Sequence, residues 1–190
     1  LVAHGKESLH RSVRGLLQDR IIYELGEDSG STERMILDAV LASGWDTIAD
    51  ALKRFEILKK MYTRKEDSRA FKQACKVIER SGNILKGTDG SLAGDVRPEL
   101  FQDDLEAQVF SLLQESRTDI EALINRKAYA EATRLYAETF FDTLHQLFDA
   151  VMINVDDQKV RHNRLLLMKD INELFTKEVA DLKLVHGITL

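Results

Sequence analysis

Eleven lysines and arginines lie between Lys53 and Lys86, against four acids, Glu56, Glu66, Asp67 and Glu79. At about 100° per residue, Arg69, Lys72, Lys76, Arg80 and Asn83 fall within one stripe of a helix. Phe71, Ala74, Cys75, Ile78 and Leu85 fall on the opposite side. A helix docked through that apolar side presents cations about 5 to 6 Å apart, close to the separation of successive phosphates on a nucleic-acid strand. Lys86 continues the basic surface beyond the stripe. A helix face that serves only solubility usually interleaves the two signs as i,i+4 pairs, and acids are scarce here. Phosphate binding and a solvated face are the two readings.

A second group, Arg161, Asn163 and Arg164, opens a helix expected from Asp156 to Leu182, roughly 40 Å long. Val160, Ile171, Phe175 and Leu182 share one side of it, and Arg164 lies on that same side. An arginine there must be paired, overhang the core edge, or face a partner, because an unpaired buried charge is costly. It either bridges to an acid such as Asp149, Asp142 or Asp157, or reaches RNA together with Arg161 and Asn163, whose amide offers donors and an acceptor. Unstacked bases would also want aromatic partners. Near the basic hairpin these are Trp45, Phe55 and Tyr62. Phe55 keeps register with Ile48, Leu52 and Met61 and belongs to the core, Trp45 packs a helix start, and Tyr62, followed by Thr63-Arg64-Lys65, is the exposed one.

Other chemistry is not encoded. His4, His10, His145, His162 and His186 form no H-x-x-H or H-x-x-x-H pair, and Cys75 has no second cysteine, so no metal site is expected. No phosphate-binding glycine loop or nucleophile elbow is present. No catalytic residue is assigned. The acid pairs Asp103-Asp104 and Asp156-Asp157 are placed to cap helix N-termini.

The elements that must position these residues are all helical. One proline and 10 glycines in 190 residues, with apolar residues recurring at three and four, predict an all-α helical bundle. Helices are expected at about Lys6 to Leu25, Glu33 to Ala42, Trp45 to Met61, Asp67 to Leu85, Asp103 to Ser116, Asp119 to Asn125, Tyr129 to Val151 and Asp156 to Leu182. Asp103, Asp119 and Asp156 serve as N-caps, and Gly26 and Gly44 as stops. Lys86 to Pro98 holds three glycines and the proline and is the one clear break.

A chain of this length buries about 70% of its unfolded surface and needs no staple. The lone Cys75 suits a reducing compartment. No run of 18 apolar residues suggests a membrane span, and no signal-peptide pattern is visible. The net charge of −5 argues against a general nucleic-acid binder, but it is unevenly distributed. The eleven cations and four acids of the hairpin give a local +7, leaving 16 against 28, or −12, elsewhere.

The segment Leu147 to Met168, L-F-D-A-V-M-I-N-V-D-D-Q-K-V-R-H-N-R-L-L-L-M, resembles a signature of the β subunit of bacterial-type glycyl-tRNA synthetase. The matching elements are Phe148-Asp149, Val151-Met152, Asp156-Asp157, Arg161, Asn163, Arg164 and Leu165. I-L-D-A-V-L-A-S at Ile36 to Ser43 and R-S-G-N-I-L-K at Arg80 to Lys86 agree in order and spacing. The resemblance covers roughly residues 10 to 185.

It implies a helical anticodon-binding domain similar to that of arginyl-tRNA synthetase at 46–190, with 1–45 an N-terminal helical connector to upstream domains. The implied partners are tRNA-Gly and the α subunit of the synthetase, separate or fused. The parent enzyme, a glycine-tRNA ligase, uses ATP and Mg²⁺; this stretch implies no catalysis and no cofactor of its own. The implied location is the cytoplasm, or an organelle for a plant-type fused enzyme. Arg69, Lys72, Lys76, Arg80, Asn83, Lys86, Arg161, Asn163 and Arg164 are the expected RNA-binding residues. Glycine anticodons carry two cytosines, so acceptors for their amino groups and donors for their carbonyls are expected, from Asn83, Asn163 and nearby acids. The alternative is a helical protein-interaction module that holds subunits together without touching RNA.

Overall fold

The computed structural model describes residues 15, 19–23, 31–88 and 92–190. The expected helix Lys6 to Leu25 and its stop at Gly26 lie largely outside the described residues, though 19–23 are helical. Among the described residues there is no strand; the fold is all-α, as the periodicity predicts.

Local chemistry sets the helix starts. Helix α1 (Thr32–Ala42) begins where the Ser31 side chain accepts from the Arg34 N–H. It stops at Ser43, followed by Gly44 at φ +78°, a left-handed position that favours glycine. Helix α2 (Ile48–Thr63) starts at an Asp50 N–H donated to Thr47. A single extended residue, Arg64, turns it into α3 (Lys65–Ile84). Helix α4 (Asp104–Asn125) opens on a capping box: the Asp103 side chain accepts from the helix start while Glu106 reaches back to the Asp103 N–H. Helix α5 (Tyr129–Ala150) follows a tight turn through Lys127 at φ +60°, and α6 (Gln158–Thr176) starts at Asp157, which accepts from the N–H groups of Lys159 and Val160.

Three expectations are corrected. Asp103 to Ser116 and Asp119 to Asn125 are one continuous helix, so Asp119 is interior rather than a cap. At the expected helix end, the Ser116 hydroxyl donates to the Leu112 carbonyl at 2.7 Å, which satisfies it inside the helix. Asp157, not Asp156, caps α6. And α6 ends at Thr176, not Leu182, for a tertiary reason: Arg54 takes the carbonyls of Glu178 and Val179.

Helices α3 and α5 form the centre, with α4 beside α5, α2 and α6 beside α3, and α1 against α2. Phe71, Ala74 and Ile78 of α3 and Tyr136, Ala137 and Phe140 of α5 are fully buried between them. The chain after α6 closes the bundle over α1, where the Asp181 N–H donates to the Ala39 carbonyl at 2.9 Å. At Gly82 of α3 this closing segment comes so near that a Cβ would lie 3.1 Å from the Lys183 side chain.

Arg54 holds this closure. Only 2% exposed, it donates to the carbonyls of Gly44 at 2.7 Å, Val179 at 3.0 Å and Glu178 at 3.2 Å. It also pairs with Asp50 at 3.2 Å. Asp50 accepts from the Tyr129 hydroxyl at 2.8 Å and faces Lys127 at 3.0 Å. Burial pushes the Asp50 carboxyl up, but these hydrogen bonds and the neighbouring positive charges outweigh it and hold it below its ordinary value. Removing the guanidinium takes the donor from three carbonyls and one partner from the Asp50 carboxylate at once. Arg54→Met is therefore expected to lower stability by about 3 to 5 kcal/mol, read as the shift in urea midpoint at unchanged slope; a shift under about 1 kcal/mol would show that Arg54 does not hold the closure.

Candidate nucleic-acid interface

The basic stripe forms as its periodicity predicts. Phe71, Ala74, Cys75, Val77 and Ile78 are buried on the inner face of α3, and burial pushes the Cys75 thiol well up, away from reactivity. Arg69, Asn83 and Lys86 are exposed, and Lys72, Lys76 and Arg80 are half-buried. The members differ in what they touch. Lys76 pairs with Glu79 one turn on, at 2.7 Å. Arg80 spans to α5, where it donates to Nδ1 of His145, faces Asp149 at 3.5 Å and lies 4.9 Å over the Phe148 ring. Among the described residues, Arg69 and Lys72 carry no ion pair. Lys86, also exposed, shares this absence of an ion pair.

Arg164 and Asn163, both among the expected RNA-binding residues, take protein partners. Arg164 is 5% exposed and binds both oxygens of Glu106, itself 1% exposed, at 2.8 and 3.0 Å. Its remaining nitrogen donates to the Met152 carbonyl at 2.8 Å. The paired-arginine alternative is the one that holds, with a partner that is none of the three candidate acids. Glu106 lies 58 residues away in sequence. One signal was available, because a glutamate three residues after Asp103 fits a capping box; such a carboxylate has oxygens left for a second partner. The Asn163 amide accepts from the Arg97 N–H at 2.7 Å and donates to the Arg97 carbonyl at 3.0 Å. It pins the segment before Pro98 to α6, and His162 and Lys169 do the same through the carbonyls of Ala93 and Leu92.

Arg161 is half-buried. It lines a cleft of about 480 Å³ with Thr88, Arg97 and Lys159, close in sequence to Lys86. Gly87 and Thr88, which follow Lys86 in sequence, line the same cleft as Arg161, whereas Asn163 and Arg164 do not. The aromatic expectations divide similarly. Phe55 is fully buried and Trp45 is 9% exposed, and Tyr62 is half-buried, set edge-on to Phe71 with centroids 6.0 Å apart. Sequence missed the accessible rings, Phe141, His145 and Phe148, which line a groove with Arg80 and Asn83.

No family model matches the chain. Its sequence is 32% identical over 156 residues to the glycine–tRNA ligase β subunit of Trichlorobacter lovleyi, covering 80% of this chain and 21% of that protein. It is 31% identical over 147 residues to the β subunit of Desulforudis audaxviator, covering 77% and 20%. For that of Lactobacillus delbrueckii subsp. bulgaricus it is 30% over 172 residues, covering 90% and 23%. This chain is a relative of the glycine–tRNA ligase β subunits. It spans about a fifth of the length of the curated relatives it matches. No helix among the described residues is long and apolar enough to cross a membrane.

Within this β-subunit relative, the Glu106–Arg164 pair couples stability to pH. Burial raises the Glu106 carboxyl, yet the hydrogen bonds from Arg164 and from the Gln102 and Asp103 N–H groups outweigh it, and the net value is lowered. A depressed folded value means that the stabilisation is full above the ordinary glutamate value of about 4.3. It is lost as pH falls through the lower folded value. Arg164→Ala is expected to cost about 3 to 5 kcal/mol of folding stability by stranding that carboxylate, and Glu106→Gln to flatten the acid limb of the stability profile. An unchanged melting temperature for Arg164→Ala would sink the structural assignment.

Proposed function

We propose that this chain binds the anticodon arm of tRNA-Gly as part of a glycyl-tRNA synthetase, whose ATP-dependent reaction joins glycine to that tRNA. The observation that carries the proposal is the α3 stripe. In a chain of net charge −5, related to β subunits of this ligase, one helix carries a row of cations on its outer face while its apolar side is sealed in the core. Arg69 and Lys72 take the first phosphates, Lys76 and Arg80 the next, and Lys86 with Arg161 receive the strand where α3 meets α6.

Binding through phosphates is sequence-tolerant and salt-dependent, since each neutralised phosphate releases condensed counterions. The chain's role is recognition. Activation of glycine and use of ATP and Mg²⁺ fall to the rest of the synthetase, including its α subunit, separate or fused.

Arg69→Glu with Lys72→Glu tests the proposal cleanly because neither residue has an ion pair to lose. The double variant is expected to keep its helicity and to bind tRNA-Gly at least tenfold more weakly at moderate salt. Its slope of log affinity against log salt should fall by about 0.7 for each lost contact. Wild-type affinity and slope in the variant would make the stripe a solvated face and favour a subunit-assembly role.

A further inference from the structure

Arg80 is the member of the stripe that α5 holds. Its guanidinium reaches across from α3 and meets three side chains of α5: it donates to Nδ1 of His145, faces Asp149 at 3.5 Å and lies over the Phe148 ring. His145 in turn stacks on Phe141, with centroids 6.1 Å apart and planes 22° from parallel.

This contact depends on the protonation of one ring nitrogen. A guanidinium has donors only, so Nδ1 must offer a lone pair. The His145 ring is therefore neutral and carries its proton on Nε2, 3.6 Å from Asp149. A proton from solvent can add only to the Nδ1 lone pair. It would set an N–H against the Arg80 N–H and a second full charge beside the guanidinium, where like charges repel. Asp149 would then face two cations.

The other charged groups around the ring supply Arg80 with no replacement acceptor. From α3, Lys76 and Glu79 line the same groove but are paired with each other at 2.7 Å. On α5, Asp142 precedes His145 by three positions, and Leu190, which carries the terminal carboxylate, also lines the groove. Neither pairs with Arg80 in the structure. A displaced Arg80 stays on the outer face of α3 with Arg69 and Lys72, where a phosphate takes the place of the lost acceptor.

We propose that His145 is a proton-operated latch on the RNA-binding surface: neutral, it holds Arg80 against α5, and protonated, it releases Arg80 to a phosphate. The proposal rests on the α3 stripe carrying the RNA backbone.

The latch and the stripe are tested apart on the 190-residue chain. Imidazole nitrogen chemical shifts read the ring itself: neutral His145 is expected as the Nε2–H tautomer, and the Nδ1–H tautomer would overturn the latch. Affinity for tRNA-Gly is then measured at about pH 8 and about pH 5.5, the range over which imidazoles take up a proton. Wild type is expected to bind about fivefold more tightly at the lower pH, the upper end of what an exposed charge contact contributes. His145→Gln offers Arg80 an acceptor that does not titrate, and Arg80→Gln removes the latched group. Each should cut the gain to under about twofold at an unchanged circular dichroism spectrum. A gain that survives Arg80→Gln would mean that the imidazolium meets the RNA by itself, and one that survives His145→Gln would put the proton on another group; either overturns the proposal. Wild-type affinity that does not change with pH removes the latch and leaves the stripe intact. Failure of wild type to bind tRNA-Gly at either pH removes the stripe reading, and the regulation falls with it.

Discussion

The buried bidentate pair between Arg164 and Glu106 sets the position of α6. The Glu106 carboxylate accepts from two guanidinium nitrogens and from the N–H groups of Gln102 and Asp103, and the third guanidinium nitrogen reaches the Met152 carbonyl. Three separate stretches, the start of α4, the α5–α6 connection and α6 itself, therefore meet at one buried node. Burying a charge pair yields little or no net stability unless the remaining donors and lone pairs are met. Here they are met by backbone groups that would otherwise be orphaned at a helix start.

The placement of α6 has consequences for the surface that meets a ligand. With Arg164 fixed inward, Asn163 and His162 follow it in register, and both hold the 92–97 segment against the helix. The Asn172 amide, two turns further on, donates to the Ile78 carbonyl and to the Ser81 hydroxyl of α3 at 3.2 and 2.9 Å. Through these contacts the node locates the C-terminal half of α3, which carries Lys76, Arg80 and Asn83. Much of the segment Leu147 to Met168 is thus scaffold, and the surface it positions lies on another helix.

This division explains what could be read in the sequence. The all-α class, the hairpin and the outward stripe follow from apolar periodicity, which reports which side of a helix is buried whatever it is buried against. The Asp103 cap was legible because capping is local. What failed was non-local. An arginine on an apolar stripe says that a partner exists but not which one, and the choice among Asp142, Asp149 and Asp157 favoured acids near in sequence over one brought close by folding. The early end of α6 was equally hidden, since no glycine or proline marks Lys177 and the cause, Arg54, lies more than a hundred residues upstream. The Phe141–Phe148 groove escaped because those rings have the spacing of core residues, and only the packing of α3 against α5 leaves them half open.

The same contrast separates cations that build the protein from cations that meet a ligand. Arg54 and Arg164 are almost wholly enclosed, each satisfied by backbone carbonyls and one acid, and could bind a phosphate only by abandoning them. Arg69 and Lys72 face outward without ion pairs, so a phosphate displaces only water from them. Arg80 stands between: its acid partner is itself 63% exposed, a contact that water already weakens, and its ring contact survives whether the charge faces Asp149 or a phosphate. The acidic remainder of the chain sharpens this arrangement. With a local +7 between Lys53 and Lys86 and −12 over the rest of the chain, attraction along α3 and net repulsion from the remainder favour one orientation of encounter with a polyanion, even though the protein as a whole is negatively charged.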